Sequence, residues 1–205
     1  MRVTAAGLES QPMKYVCVFC GGNPGGRHEY GRAARAFGAA LAARGLGLVF
    51  GGSNKGLMGD VALGALDAGG RVIGVLPRVL TATETPFPQL EDLRLVDSMS
   101  ERKALMLALS DACVALPGGY GTLDELFEAM TLTQLGIRAL PGWLLNTCGY
   151  FDGLKTFLDH ASREGLIRPP HRALLQCATD PNALADLLAN TLRSMTHALH
   201  SPGFI

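Results

Sequence analysis

Short apolar runs alternate with amphipathic stretches along most of this chain. Tyr15–Cys20, Leu46–Phe50, Arg71–Leu76, Leu93–Val96, Ala112–Leu116 and Gly142–Leu145 are compact, largely apolar segments. Segments of this kind read as strands covered on both faces. Between them, apolar positions recur at helical spacing over Glu29–Arg44, Gly56–Ala68, Ser98–Ser110, Thr122–Leu135, Phe151–Glu164 and Pro181–Leu192. Gly45 and the pair Gly69-Gly70 stop the first two of these helices. Ala173–Cys177 reads as a short edge strand, and residues 77–91, with three prolines and three threonines, as a loop over one end of the sheet. The alternation predicts an α/β fold, a doubly wound, Rossmann-like parallel sheet in a single domain. Residues 1–13 are expected to form a flexible leader, 14–192 the domain, and 193–205 a tail with no clear signal.

The glycines change the picture from fold to site. Clusters at 21–26, 51–52 and 118–121 each follow a strand, so all of them fall at strand carboxyl ends. In open α/β sheets that edge holds the ligand crevice, where backbone amides and helix N-termini face an anion. No G-x-x-x-x-G-K-[ST] occurs, which excludes a phosphate-loop ATPase. G-x-G-x-x-G is missing after the first strand, as is an acidic residue after the second, which argues against a dinucleotide. A mononucleotide-sized site remains, with a phosphate over Gly118, Gly119, Tyr120, Gly121 and Thr122.

Two carboxylates, Asp124 and Glu125, follow directly and should repel that phosphate. Thr122-x-x-Glu125 fits a capping box, as does Ser98-x-x-Glu101 one helix earlier. Yet Arg102 and Lys103 lie in the first turn of that earlier helix, where cations oppose the macrodipole. Two helix N-termini facing across one crevice would let Arg102 and Glu125 pair around a ligand. Cleavage of an N-glycosidic bond passes through an oxocarbenium-like ribose. A carboxylate near the anomeric carbon stabilises that cation and can deprotonate attacking water. An arginine orients the carboxylate or holds sugar-phosphate oxygens.

Composition narrows the partners. The 205 residues carry 18 Lys+Arg and 18 Asp+Glu, so no net field recruits nucleic acid or an anionic membrane. No apolar run approaches the roughly 20 residues needed to span a bilayer. The start, MRVTAAGLESQPMK, lacks the apolar core of a secretory signal. Five cysteines in mostly strand-like stretches suggest reduced thiols and a cytoplasmic location. Cys17 and Cys20 match C-x-x-C, but in a strand they point to opposite faces. The five histidines have no metal-ligand spacing, so no metal is expected.

Ser98-Met99-Ser100-Glu101-Arg102-Lys103 followed by Pro117-Gly118-Gly119-Tyr120-Gly121-Thr122-Leu123-Asp124-Glu125 resembles the Lonely Guy family of cytokinin riboside 5′-monophosphate phosphoribohydrolases, which also carry a lysine decarboxylase label. The likeness runs from Val16 to about Leu188. It includes Gly51-Gly52, Gly56-Leu57-Met58-Gly59 and Thr133-Gln134-Leu135-Gly136. It implies hydrolysis of an N6-modified AMP, or AMP itself, to free base and ribose 5-phosphate. By resemblance the catalytic pair falls on Arg102 and Glu125. The substrate-binding set falls on Gly118–Asp124, Arg102, Lys103, Thr131 and Glu84, and takes in Gly21, Gly22, Gly52, Asn54 and Met99. Met99 taken alone reads as packing, and Glu84 as a solvated loop charge. The resemblance also implies no metal or organic cofactor and a homodimer or larger assembly.

The chain departs from that pattern at Ser100 and Arg138, where histidines are usual, at Ser53 and Gly22 in the glycine stretches, and at Leu132, where tryptophan is frequent. Tyr120 reads equally as a stacking group or as a shield for the turn. The competing reading is a non-catalytic nucleotide or molybdenum-cofactor carrier of related fold, which needs the glycines but not the Arg102–Glu125 pair. A pyridoxal-phosphate decarboxylase is disfavoured, because none of Lys14, Lys55, Lys103 and Lys155 has a partner pattern for the cofactor's ring nitrogen.

Overall fold

Strands with apolar side chains on both faces can sit only between two layers of helices. The computed structural model describes residues 12–82 and 85–200, so most of the expected leader, Glu84 and residues 201–205 fall outside the described part. Its elements are β1 (Tyr15–Phe19), α1 (His28–Ala43), β2 (Gly47–Phe50), α2 (Gly56–Asp67), β3 (Val72–Pro77), β4 (Asp92–Val96) and α3 (Met99–Ala108). There follow β5 (Ala112–Ala115), α4 (Tyr120–Gln134), β6 (Gly142–Leu145), α5 (Asp152–Arg163), α6 (Pro169–Arg172), β7 (Leu175–Ala178) and α7 (Pro181–His200). Single 3₁₀ turns occupy Arg78–Leu80 and Thr147–Gly149.

The strands form one seven-stranded sheet in the order β4-β3-β2-β1-β5-β6-β7, with every pairing parallel. Val16, Val18 and Cys20 point into one core, with Phe37, Leu41, Val61 and Leu188 from α1, α2 and α7. Cys17 and Phe19 point into the other, with Met106, Leu126 and Leu158 from α3, α4 and α5. Each fully buried side chain of this size contributes about 1.5–3 kcal/mol. The two cysteines of C-x-x-C therefore do lie on opposite faces, as strand geometry requires. Helices α1 and α2 pack almost backbone to backbone. A Cβ at Gly38 would strike the carbonyl of Val61, and one at Gly64 the carbonyl of Arg35.

The winding reverses between β1 and β5, the topological switch point at which such sheets bind ligands. There the Gly21 amide donates to the Pro117 carbonyl at 3.0 Å, joining two of the glycine-bearing strand ends.

Several boundaries differ from the sequence reading. Helix α4 starts at Tyr120 rather than Thr122. The edge strand begins only at Leu175, because Pro169–Arg172 form the short helix α6, with Pro in its first turn. Helix α7 runs on to His200, past the expected end at Leu192, because Leu188, Leu192 and Met195 keep helical spacing against the core.

Candidate active site

A cleft of about 500 Å³ opens at the carboxyl ends of β1, β2 and β5. That volume lies in the usual range for small-molecule sites. One wall is the turn from β5 into α4. Gly119 is the N-cap of α4 and, being glycine, offers no side-chain cap of its own. The first-turn amides of a helix have no intrahelical acceptor, so this end presents donors and positive potential to an anion. Gly118, Gly119, Gly121 and Thr122 all line the cleft. A Cβ on Gly118 would collide with the Thr122 hydroxyl and lie 2.8 Å from the Gly21 nitrogen, so only glycine lets these segments meet.

The two capping-box patterns have different fates. Ser98 Oγ accepts from the Glu101 amide at 3.1 Å, and Glu101 Oε2 accepts from the Asp97 amide at 2.8 Å. That motif is a helix cap. Thr122 is already inside α4, so Glu125 lies a full turn into the helix, past the position a capping box requires. Glu125 is instead buried at 9% exposure and lines the cleft.

Opposite it, Arg102 is 7% exposed. Its Nε donates to the Val75 carbonyl at 3.1 Å and its Nη2 to the Gly51 carbonyl at 3.2 Å. Its Nη1 lies 3.8 Å from Glu125 Oε1, an ion pair longer than a hydrogen bond. The ends of β2 and β3 thus fix the guanidinium independently of Glu125. Cys20 also lines the cleft beside the pair. Burial first, then the Glu125 carboxylate, pushes its thiol far above the ordinary range, with Arg102 opposing. Cys20 is a neutral wall, not a nucleophile.

Asp124 was the other half of the charge problem. Lys103 Nζ reaches its Oδ2 at 2.9 Å and Glu128 Oε2 at 2.6 Å. Hydrogen bonds to Glu128 and then Asp124 raise the lysine's pKa, holding it charged. Lys103 therefore ties α3 to α4 and neutralises Asp124, and it is not among the residues lining the cleft.

Of the remaining expected site residues, Gly21, Gly22, Met99 and Asp124 line the cleft as well. Gly52, Asn54, Tyr120 and Leu123 do not. Gly52 is buried behind the wall, Leu123 packs against the α3–α4 core, and Tyr120 is 94% exposed. Thr131 lines a separate small hollow and hydrogen-bonds the Phe127 carbonyl of its own helix. Glu84 lies outside the described residues. Sequence reasoning missed Tyr30 and Tyr150, which form an aromatic side of the cleft. The only available signal was that Tyr150 follows a strand at the carboxyl edge. Among the described residues no three His, Cys, Asp or Glu side chains gather as a metal site, and no helix is long and apolar enough to cross a membrane.

Comparison with known proteins places this cleft in context. A family model described as "Possible lysine decarboxylase" matches residues 58–188. A protein of Oryza sativa subsp. japonica named probable cytokinin riboside 5′-monophosphate phosphoribohydrolase is 47% identical over 182 residues, covering 89% of this chain and 80% of its own. The cytokinin riboside 5′-monophosphate phosphoribohydrolase of Rhodococcoides fascians is 43% identical over 188 residues, covering 90% of this chain and 95% of its own. Among solved structures, the molybdenum cofactor carrier protein of Chlamydomonas reinhardtii superposes with a TM-score of 0.70 at 22% identity, covering 89% of this chain and 99% of its own. That last likeness speaks for the fold alone. The family model takes in both Arg102 and Glu125, the relatives cover about nine-tenths of the chain, and the chain belongs to the Lonely Guy family of cytokinin riboside 5′-monophosphate phosphoribohydrolases.

Proposed function

We propose that this protein hydrolyses the N-glycosidic bond of a cytokinin riboside 5′-monophosphate, or of AMP, releasing free base and ribose 5-phosphate. The observation that carries the reading is a buried carboxylate, Glu125, one helical turn below a helix N-terminus whose N-cap is glycine and beside an arginine held by two backbone carbonyls. The 5′-phosphate lies over the amides of Gly118–Thr122, with the α4 dipole favouring its charge. The ribose then spans the cleft toward Glu125. As the C1′–N bond breaks, its electron pair leaves on the base nitrogen and C1′ gains positive charge. Glu125 stabilises that charge and takes a proton from the water that adds to C1′; the proton passes to the departing base. Arg102 keeps the carboxylate in register and supplies donors to ribose oxygens. The Lys103 bridge removes the charge of Asp124 from the phosphate's surroundings.

Relatives of this name at 43% to 47% identity over most of the chain support the substrate class. Five free cysteines support a reducing, cytoplasmic compartment. Exposed Leu135, Ile137 and Leu166 support a homodimer or larger assembly, read by light scattering. The activity test is base release from N6-isopentenyl-AMP and from AMP by wild type and by Glu125→Gln. Release by wild type, with a loss of about 10²–10⁴-fold in the variant, is expected. Nucleotide binding without release by wild type would replace hydrolysis with the carrier reading.

A further inference from the structure

Tyr150 takes no part in the chemistry above, yet it is placed with unusual care. It lines the cleft, and its hydroxyl donates to the Gly118 carbonyl at 2.7 Å across 32 residues of sequence. Its ring meets Tyr30 of α1 edge-on at 5.6 Å and Phe151 edge-on at 5.0 Å. The segment that delivers it is tightly built. Asn146, 4% exposed, accepts the Phe151 amide at 2.7 Å and donates to Asp152 Oδ1 at 2.8 Å. Between them Cys148 adopts φ 54°, a left-handed conformation that a side-chain-bearing residue rarely enters. Strain of this kind persists only where surrounding contacts hold it.

The Gly118 carbonyl shares a rigid trans peptide plane with the Gly119 N–H, and the two point in opposite directions. Glycine resists rotation of that plane less than any other residue. In the Pro117-Gly118-Gly119 turn, the Tyr150 hydrogen bond to the carbonyl oxygen opposes that rotation. We infer that Tyr150 is a positioning residue for phosphate: by pinning the Gly118 carbonyl, its hydroxyl aims the Gly119 amide and the start of α4 at the 5′-phosphate of the bound nucleotide. The edge contact with Tyr30 fixes the ring, so that β6, α1 and the β5–α4 turn act as one frame around the anion. The inference rests on the proposed placement of the phosphate over Gly118–Thr122.

The test is Tyr150→Phe, which removes the hydroxyl and keeps both ring contacts. Calorimetry compares binding of AMP, ribose 5-phosphate and adenosine to wild type and variant. A net hydrogen bond of ordinary strength corresponds to a loss of about three- to tenfold. That loss is expected for AMP and ribose 5-phosphate, with adenosine affinity unchanged. In turnover of N6-isopentenyl-AMP the same factor is expected in KM, with kcat within twofold. The Tyr150→Leu variant, lacking ring and hydroxyl, is expected to lose at least as much phosphate affinity. Equal losses for adenosine and AMP would make Tyr150 a general structural prop, and unchanged binding of all three by Tyr150→Phe would remove its hydroxyl from the phosphate site. Either result overturns the inference. The binding measurements need no hydrolysis. A wild type that binds AMP without cleaving it defeats the hydrolase reading, yet still lets the phosphate dependence of Tyr150 be read.

Discussion

The most direct probe of the site is a methyl group placed outside the reacting pair. Gly51 follows β2, and its carbonyl accepts from Arg102 Nη2 at 3.2 Å. A Cβ at this position would collide with Nη2, lie 3.2 Å from Arg102 Cζ and 2.7 Å from Met58 Sδ. Gly51→Ala therefore leaves every ionisable group in place but pushes the guanidinium. Over-packing of this kind costs about 1–3 kcal/mol. For a domain of this size that lowers Tm by about 2–12 °C. The guanidinium already stands 3.8 Å from Glu125 and is held besides by the Val75 carbonyl and, at 4.0 Å, by Met99 Sδ. A displacement of about 1 Å at a reacting centre costs about 10²-fold in rate. Base release from N6-isopentenyl-AMP should thus fall about 10²-fold in kcat, with the fold retained by circular dichroism. Ribose 5-phosphate affinity should fall far less than kcat, because its phosphate is held on β5–α4 and only its ribose oxygens meet Arg102. Gly45→Ala is the control. Gly45 has φ 68° and open space around it, so the variant loses about 1–2 kcal/mol far from the cleft and keeps its kcat. A folded Gly51→Ala enzyme with kcat within twofold of wild type would refute the reasoning that the backbone-held position of Arg102 matters.

Three further outcomes are expected. Gly121→Ala meets no neighbour within 4 Å in the first turn of α4, so it raises stability by about 0.5–1 kcal/mol, while its methyl crowds the phosphate and raises KM; a thermal melt and steady-state kinetics read both. Lys103→Met breaks the bridge to Glu128 and Asp124 and lowers Tm by about 2–4 °C for a loss of about 1 kcal/mol. Because pairing raises the lysine's pKa, its stabilisation is complete at neutral pH and is lost as pH rises through that raised value; melts across pH 6–11 should show the gap between wild type and Lys103→Met constant to about pH 9 and closing above about pH 10.5. In alkylation followed by mass spectrometry, exposed Cys148 reacts first. Buried Cys17, Cys20 and Cys113 stay unmodified in the native protein, the last with a thiol pushed up to about 12 by burial.

What the chain determines locally was legible from its residues. Strand length, helical spacing and glycine at strand ends depend on neighbours a few residues away, so the α/β alternation and the ligand edge followed from periodicity and turn chemistry. The Arg102–Glu125 pair was legible because both residues sit where local rules leave charge unexplained. Even there the local rule misled for Thr122, since the start of α4 is decided by the Pro117-Gly118-Gly119 turn and its contact with Gly21, not by a Thr-x-x-Glu pattern. Tertiary structure alone decided the rest. Strand order put β1 beside β5 and so brought Gly21 against Pro117. The same order let Arg102 reach carbonyls 27 and 51 residues away, and Tyr150 reach Gly118. It also made Lys103, expected in the substrate-binding set, a bridge between helices. The physical reason is that a side chain's charge and length are encoded at its own position, whereas the partner it meets is set by which strands become neighbours, and that depends on burying both faces of the whole sheet at once.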